Sequence, residues 1–337
     1  MKRISVVIPA FNESDCVDDL ATRLAAVASA AAPRYEFEFI IVENGSVDNT
    51  FSKLLRIHQA DPRFKIIRFS RNFGIEAAVT AGLRHADGDA CVIMCADLQE
   101  PPELIPALIE QWELGYDNVY GIVRNRRDEN GLRRALTRVF YWLVNRLNSH
   151  PVPENVSDFR LVDRKLYATL NTFDERNRML RTMWGWIGGK ATGVPFDRMP
   201  RHGGESTYRL TRNIAFAIRG IMSSSTTPLK LIPLFGMALS GFSFVLLVGF
   251  AIRWFVGGVP FNGFGTILAL MLLLFGLLFL LLGMQSEYIG LIFEEVRGRP
   301  MYVTREEYGW TKPPQVERGD APDLLGSSRD RNEVAEL

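Results

Sequence analysis

Acidic and amide side chains directly follow an apolar run at residues 91–105, which read CVIMCADLQEPPELI. Asp97 and Gln99 offer carboxylate and amide oxygens, the ligands that Mg²⁺ and Mn²⁺ prefer. A cation held there would neutralise negative charge developing on a departing diphosphate. An acid just before two prolines could instead simply cap a helix. The short motif alone leaves both interpretations open.

These residues belong to a region, 1 to about 125, in which strand and helix patterns alternate. Runs such as ISVVIPA and EFEFIIVE are typical of strands, and periodic segments such as NTFSKLLRIHQ are typical of helices. This alternation predicts an α/β fold with a mostly parallel sheet covered on both faces. Ligands bind such sheets beyond the carboxyl ends of the strands, where the segments PAFNE, ENGSVDNT, SRNFG and CADLQE all fall.

The composition limits the kinds of partner. The 337 residues suffice for one large domain or two ordinary ones, and 39 basic residues nearly balance 38 acidic ones. The charge therefore gives no indication of nucleic acid as a partner. Cys16, Cys91 and Cys95 lack zinc-ligand spacing and fit a reducing compartment, where their simplest role is as small core residues.

A long apolar region predicts membrane spanning. Between Lys230 and Glu287 the only charged residue is Arg253. The region divides into two spans, about 231–254 and 264–285, each close to the ~20 apolar residues that cross a bilayer. Buried helices of a soluble protein would need a polar face, which neither stretch has. Basic residues outside the pair predict that both ends of this hairpin face the cytoplasm, which makes the protein multi-pass.

The flanking segments complete the predicted organisation. The opening MKRISVVIPAF has too short an apolar run for a signal peptide, so residues 1–208 are predicted to form a cytoplasmic domain. Residues 209–229 place isoleucines on one helical face, which fits a helix at the membrane interface or one packed on the preceding domain. Residues 287–310 have similar amphipathic character, and 311–337 have the composition of a disordered tail.

The order of the motifs adds a family resemblance. SVVIPAFNES, VENGSVDNT, the run from SRNFG to CADLQEPPELI, NVSDFRLVDRKL and GESTYRL follow one another and precede the predicted hairpin. Over about residues 3–308 the chain resembles the family 2 glycosyltransferases that act on polyprenyl phosphates, such as the dolichyl- and undecaprenyl-phosphate sugar synthases. It is most similar to the bacterial branch that supplies glucose for O-antigen modification.

The resemblance implies a fold and a location. The fold is GT-A, a Rossmann-like domain with a mostly parallel sheet, joined to a two-helix transmembrane hairpin with amphipathic interface helices. The location is the inner membrane of a bacterium, with the catalytic domain on the cytoplasmic side. A homo-oligomer is also implied.

The resemblance further implies roles for individual residues. Asp97 and Gln99 match the metal-binding pair, which implies Mg²⁺ or Mn²⁺ as the cofactor. Cys95 replaces the first acid of the usual D-x-D motif, and a thiol is a poor ligand for Mg²⁺. Glu43 and Asn44 stand where the family usually has two aspartates. The residues that match the nucleotide-sugar pocket are Pro9, Asn12, Glu13, Glu43, Asn44, Arg71, Asn72, Gly74 and Asp97.

Asp158, in NVSDFRL, matches the acid near the reacting sugar, so Asp158 and Asp97 are the predicted catalytic residues. A plainer alternative is that Asp158 only caps its loop. A polyprenyl monophosphate has a second pKa near ~6, so it is largely dianionic at neutral pH and needs no strong base. We therefore expect Asp158 chiefly to orient the acceptor or Arg160. The residues predicted to bind the acceptor phosphate are Arg124, Arg133, Arg134, Arg160 and Arg201.

These features predict an inverting transfer of one sugar, from UDP-glucose or a related UDP-hexose to undecaprenyl phosphate on the cytoplasmic leaflet. A processive polysaccharide synthase is one alternative, but it would be expected to show a Q-x-x-R-W motif and more spans. A non-catalytic membrane scaffold on the same fold is the other. Its support is four departures from the family pattern, at Asn44, Ile75, Cys95 and Thr207.

Overall fold

A computed structural model describes residues 1–124, 156–199, 227–257 and 263–310. The described residues belong to two compact units, one built on a sheet and one made of two long helices. The strands are β1 Lys2–Ala10, β2 Tyr35–Glu43, β3 Phe64–Phe69, β4 Ala90–Ile93, β5 Asn118–Val123, β6 Val156–Asp163, β7 Ala191–Phe196 and β8 Thr304–Tyr308. The helices are α1 Val17–Ala31, α2 Thr50–Ala60, α3 Ile75–His85, α4 Ile105–Glu113, α5 Arg164–Asn171, α6 Leu180–Ile187, α7 Thr227–Gly257 and α8 Phe264–Arg297.

The described strands form one sheet in the order β7-β5-β6-β4-β1-β2-β3-β8. Strands β1 to β4 are parallel, and β7 runs parallel to β5. Strand β6 is antiparallel to both of its neighbours, and β8 is antiparallel to β3. The α/β fold predicted from the alternating pattern is confirmed, with a sheet that is mostly parallel and mixed at β6 and β8.

Apolar side chains cover both faces of this sheet, as expected for strands that are apolar along their length. On one face, α1 and α4 pack through residues such as Leu24 and Leu108 onto a cluster that includes Phe39 and Phe159. On the other face, α3, α5 and α6 contribute a second cluster. Because both faces are buried, the polar loops at the carboxyl ends of the strands are open to a ligand.

Strand β8 was not predicted as part of the sheet. Residues 287–310 were predicted to form an interface helix or strand; residues 287–297 instead continue helix α8, and Thr304–Tyr308 pairs with strand β3. The sequence TREEY is mainly polar because an edge strand has one solvated side. Strand β8, which follows α8 in the chain, is therefore the last strand at one edge of the sheet.

The second unit contains α7 and α8. Within α8, Leu273–Arg297 is long and apolar enough to cross a membrane, judged by length and composition. It is the one such stretch among the described residues, and in α7 a shorter apolar stretch covers Ile232–Leu246. Of the two predicted membrane spans, the second thus corresponds to a helix segment of sufficient length in α8. The first span is unconfirmed. The predicted interface helix up to residue 226, the turn at 258–262 and the tail at 311–337 lie outside the described residues.

Candidate active site

The loops after β1, β2, β3 and β4 meet at one edge of the sheet because these four strands are parallel. Pro9 lies near the end of β1, opposite Val42 of β2. Asn12 follows in a left-handed conformation, with φ of 56°. Its backbone N–H donates to Ser46 Oγ at 3.0 Å, and its Oδ1 accepts from the Val47 N–H at 3.0 Å. The first two loops are therefore joined through Asn12.

Glu43 and Asn44 are both buried, and both bind the protein's own loops. The Glu43 carboxylate accepts from the Ser46 N–H at 2.5 Å and lies 3.4 Å from the Arg68 Nε. The Asn44 Nδ2 donates to the Gly74 carbonyl at 3.0 Å, and its Oδ1 accepts from the Phe73 N–H at 2.9 Å. Asn44 thus fastens the third loop to the second.

The third loop approaches the second closely. A Cβ on Gly45, whose φ is 70°, would lie 2.5 Å from the carbonyl carbon of Arg71, so only glycine fits there. The Arg71 guanidinium lies 4.0 Å from the centre of the Phe73 ring and donates to the Asn72 carbonyl. The Asn72 Oδ1 accepts from the Gly74 N–H at 2.8 Å, immediately before α3 begins. The predicted residues Arg71, Asn72 and Gly74 therefore lie together beside the second loop.

Asp97 lies in the turn after β4. Its Oδ1 accepts from the Gln99 N–H at 3.2 Å, and Leu98 between them has a left-handed φ of 56°. The other Asp97 oxygen accepts no hydrogen bond from a described residue, which leaves it available to a cation. Among the described residues, no three His, Cys, Asp or Glu side chains cluster to form a metal cage. One available carboxylate oxygen of Asp97 fits a Mg²⁺ or Mn²⁺ ion that takes most of its ligands from phosphate and water.

Cys95 and Glu100 flank this turn. Burial raises the pKa of the Cys95 thiol well above its usual value, and Glu100, Asp97 and Asp158 raise it further. A thiol is a poor ligand for Mg²⁺, so Cys95 does not complete an acidic pair with Asp97. The Glu100 carboxylate accepts from the Cys95 N–H at 3.1 Å and from the Ser157 hydroxyl, and burial raises its pKa to about 7. Glu100 ties the turn after β4 to strand β6.

Strand β6 brings Asp158 to the same edge. Arg160 lies opposite Ile93, so Asp158, two residues earlier on an antiparallel strand, extends toward the turn that carries Asp97. The Asp158 carboxylate, about half exposed, receives hydrogen bonds from the Arg181 Nε at 3.1 Å and from its Nη2 at 2.9 Å. Arg181 was not predicted from the sequence.

A pocket opens beside the ion pair between Asp158 and Arg181, and its lining includes Glu76, Arg160 and Trp184. Burial raises the pKa of Glu76 to about 7 and lowers the pKa of Arg160 to about 10. The Arg160 guanidinium lies 5.8 Å from the centre of the Trp184 ring. Glu76 was also missed, although its place two residues after the SRNFG motif is a signal that could have found it.

The predicted acceptor-phosphate residues are only partly described. Arg124 is exposed at the end of β5, where its N–H donates to the Phe196 carbonyl at 3.0 Å. Arg160 is buried, with 4% of its surface exposed. Arg133, Arg134 and Arg201 lie outside the described residues. The structure thus describes the surroundings of two of the five arginines.

Carboxylates and polar loops at the carboxyl edge of this mixed α/β sheet fit an enzyme that transfers a sugar. The chain belongs to glycosyl transferase family 2, whose sequence pattern matches residues 5–170, and it is a glycosyltransferase. It is 35% identical over 306 residues to an uncharacterised glycosyltransferase of Synechocystis, covering 91% of this chain and 96% of that protein. It is 34% identical over 306 residues to the bactoprenol glucosyl transferase of Shigella phage SfII, covering 91% of this chain and 98% of the relative.

Solved structures of similar proteins include glucosyl-3-phosphoglycerate synthase from Mycobacterium tuberculosis in complex with Mn²⁺, UDP-glucose and phosphoglyceric acid. That protein is 18% identical, with a TM-score of 0.43 over 66% of this chain and 78% of its own.

Proposed function

We propose that this glycosyltransferase moves one hexose from a UDP-hexose, with UDP-glucose as the first choice, to polyprenyl phosphate, with inversion at the anomeric carbon. Support comes from the extent of the match to relatives named bactoprenol glucosyl transferase, which covers 90% or more of this chain. The observation that carries the proposal is the approach of two carboxylates, Asp97 after β4 and Asp158 on β6, to the same edge of the sheet.

The donor would lie across the first three loops. Pro9, Asn12 and Glu13 of the first loop and Arg71 and Asn72 of the third would line its nucleotide. Glu43 and Asn44 would act indirectly, because their side chains already bind backbone groups of these loops. A Mg²⁺ or Mn²⁺ ion held by Asp97 and Gln99 would supply positive charge to the diphosphate.

In the reaction, an oxygen of the acceptor phosphate attacks the anomeric carbon of the hexose. The new phosphate oxygen–carbon bond forms as the bond between that carbon and the diphosphate oxygen breaks, and the electron pair leaves with UDP. The acceptor phosphate is already dianionic, so no side chain must remove a proton from it. Asp158, fixed in orientation by Arg181, would position the acceptor for in-line attack.

The acceptor phosphate would be bound by arginines outside the pocket. Arg124 is exposed, and we assign it this role together with Arg133, Arg134 and Arg201. Arg160 was predicted to share it, but its guanidinium is buried next to Asp158 and Glu76. We assign Arg160 to the orientation of those two carboxylates.

The acceptor is a lipid, so the enzyme must work at a membrane. Leu273–Arg297 would cross the bilayer, and α7, with its apolar stretch Ile232–Leu246, would form the second arm of a hairpin. Both ends of the hairpin would face the cytoplasm of a bacterium, with residues 209–229 at the interface. The catalytic domain would then meet the lipid phosphate at the headgroups, and self-association into a homo-oligomer is part of the proposal.

The test is an incubation of the purified full chain in detergent with UDP-[¹⁴C]glucose, undecaprenyl phosphate and Mn²⁺, followed by extraction of lipid. A single labelled sugar on the lipid is the expected product. A growing polymer would indicate a processive synthase. The absence of any labelled lipid or polymer, with UDP-glucose and other UDP-hexoses, would contradict the proposed donor and acceptor.

A further inference from the structure

A pocket beside Asp158 is enclosed by elements from both the parallel and the antiparallel part of the sheet. It lies where the first turns of α3 and α6 meet strands β4 and β6. Polar and apolar side chains share its lining, which includes Ile75, Glu76, Asp158, Arg160, Arg181 and Trp184. Pockets with an apolar wall and a few convergent polar groups bind small molecules.

The charges of this pocket nearly cancel. Two carboxylates, of Glu76 and Asp158, balance two guanidinium groups, of Arg160 and Arg181, when both acids are ionised. Such a lining gives little net attraction to a phosphate group. It is instead rich in hydrogen-bonding groups, which suits an uncharged polar ligand. A hexose, with a rim of hydroxyl groups and apolar C–H faces, has that chemistry.

Glu76 is the group best placed to bind such a ligand. Its Oε2 accepts from the Leu180 N–H at 3.2 Å, at the first residue of α6, so the carboxylate is fixed in place. Its Oε1 accepts no hydrogen bond from a described residue, and the side chain is half-buried at the wall of the pocket. At a pH above about 7 the Glu76 carboxylate is ionised and only accepts hydrogen bonds, which matches the hydroxyl donors of a sugar.

The other side of the pocket suits the apolar part of a sugar. Ile75, Leu180 and Trp184 contribute hydrocarbon and aromatic surface to the lining. Asp158, the predicted catalytic acid, lines the same pocket, so a hexose held there would lie next to the group that positions the acceptor.

We propose that this pocket receives the hexose of the donor and that the Glu76 carboxylate accepts hydrogen bonds from its hydroxyl groups, which makes Glu76 a specificity-determining residue. The inference rests on the proposed function. A site built to bind a substrate hydroxyl discriminates strongly against an analogue that lacks it, because its polar group is left unpaired. Glu76 would therefore select among UDP-sugars that differ in one hydroxyl.

The experiment measures binding rather than turnover. Dissociation constants for UDP, UDP-glucose and UDP-glucose analogues lacking the 2-, 3- or 4-hydroxyl are determined by calorimetry with Mn²⁺ at about pH 8, where Glu76 is ionised, using the full chain in detergent. The proteins are wild type, Glu76→Ala, Glu76→Gln and the control Glu36→Ala. Glu36 is exposed and pairs with Arg3 near the opposite end of the strands, so its removal leaves the pocket intact. Glu76→Gln keeps an acceptor for the Leu180 N–H and so retains the fold.

The wild type and Glu36→Ala are expected to lose about fivefold or more in affinity for at least one deoxy analogue. In Glu76→Ala that loss disappears, while affinity for UDP stays within about twofold of wild type. The inference is overturned if the deoxy analogues are discriminated equally with and without Glu76, or if UDP and UDP-glucose weaken in parallel. Failure of the wild type to bind UDP or UDP-glucose at all would contradict the proposed function itself.

Discussion

Arg181 holds Asp158 in a two-pronged ion pair, with its Nε 3.1 Å from Oδ1 and its Nη2 2.9 Å from Oδ2. The planar guanidinium fixes the carboxylate in one orientation, which a lysine cannot do. Arg181→Ala is therefore expected to lower kcat by roughly 100-fold, as misplacement of a positioning group does. Arg181→Lys should have an intermediate effect, measured as the rate of lipid-linked sugar formation.

Arg164 provides the matched control, because it forms an exposed pair of 2.7 Å with Asp87 at the opposite ends of the strands. Arg164→Ala should leave kcat unchanged. If Arg181→Ala matches wild type in kcat, the ion pair has no part in positioning Asp158.

The Asn44 side chain supports the third loop with two hydrogen bonds. Its Nδ2 donates to the Gly74 carbonyl, and its Oδ1 accepts from the Phe73 N–H. Asn44→Asp would restore the residue usual in the family, yet it should not improve the enzyme, since a carboxylate cannot donate to Gly74. Both Asn44→Asp and Asn44→Ala should cost about 1–3 kcal/mol of stability and raise the KM for the donor. Thermal unfolding and donor titration check this, with Gln59→Ala, an exposed position near the end of α2, as the control. A donor KM unchanged in both variants would contradict it.

Arg68 joins the second loop to strand β8. It lies 3.4 Å from the fully buried carboxylate of Glu43 and 3.4 Å from Glu306. Arg68→Met would leave Glu43 buried without a cation, at a cost of about 3 kcal/mol in unfolding free energy. Adding Glu43→Gln should recover part of the loss, because the uncompensated charge is then gone. Arg63→Met, which breaks a more exposed pair with Asp61, should cost about 1 kcal/mol or less.

Glu76 gives the protein a pH-dependent stability. Burial raises the pKa of its carboxyl group from 4.5 to about 7. The charge of Asp158 adds to this increase, and the charges of Arg181 and Arg160 oppose it. Between about pH 4.5 and pH 7 the Glu76 carboxyl is protonated in the folded state and ionised in the unfolded chain. Its contribution to the free energy of unfolding therefore falls as the pH rises through this range, and it is constant at higher pH. The unfolding temperature of Glu76→Gln relative to wild type should therefore increase from about pH 5 to about pH 7. A difference independent of pH would show that Glu76 titrates normally.

The sheet and the position of Asp97 could be predicted because both depend on short-range patterns. Strand runs alternate with helical periodicity, and parallel strands bring their polar carboxyl ends to one edge. Arg181 and Glu76 were missed because their roles depend on contacts distant in sequence. Glu76 is hydrogen-bonded to Leu180, which is 104 residues away in the sequence, and Arg68 is paired with Glu306, which is 238 residues away. No local pattern in TREEY indicates that it completes the sheet, because a polar edge strand resembles a loop.

The measurement that tests the account most directly is sugar transfer by Asp97→Ala. Wild type should transfer labelled glucose from UDP-glucose to undecaprenyl phosphate with Mn²⁺ and stop when EDTA is added. Asp97→Ala, with an unchanged unfolding temperature, should be slower by roughly 100-fold or more, and the control Asp87→Ala should match wild type. Undiminished transfer by Asp97→Ala in EDTA would contradict the account.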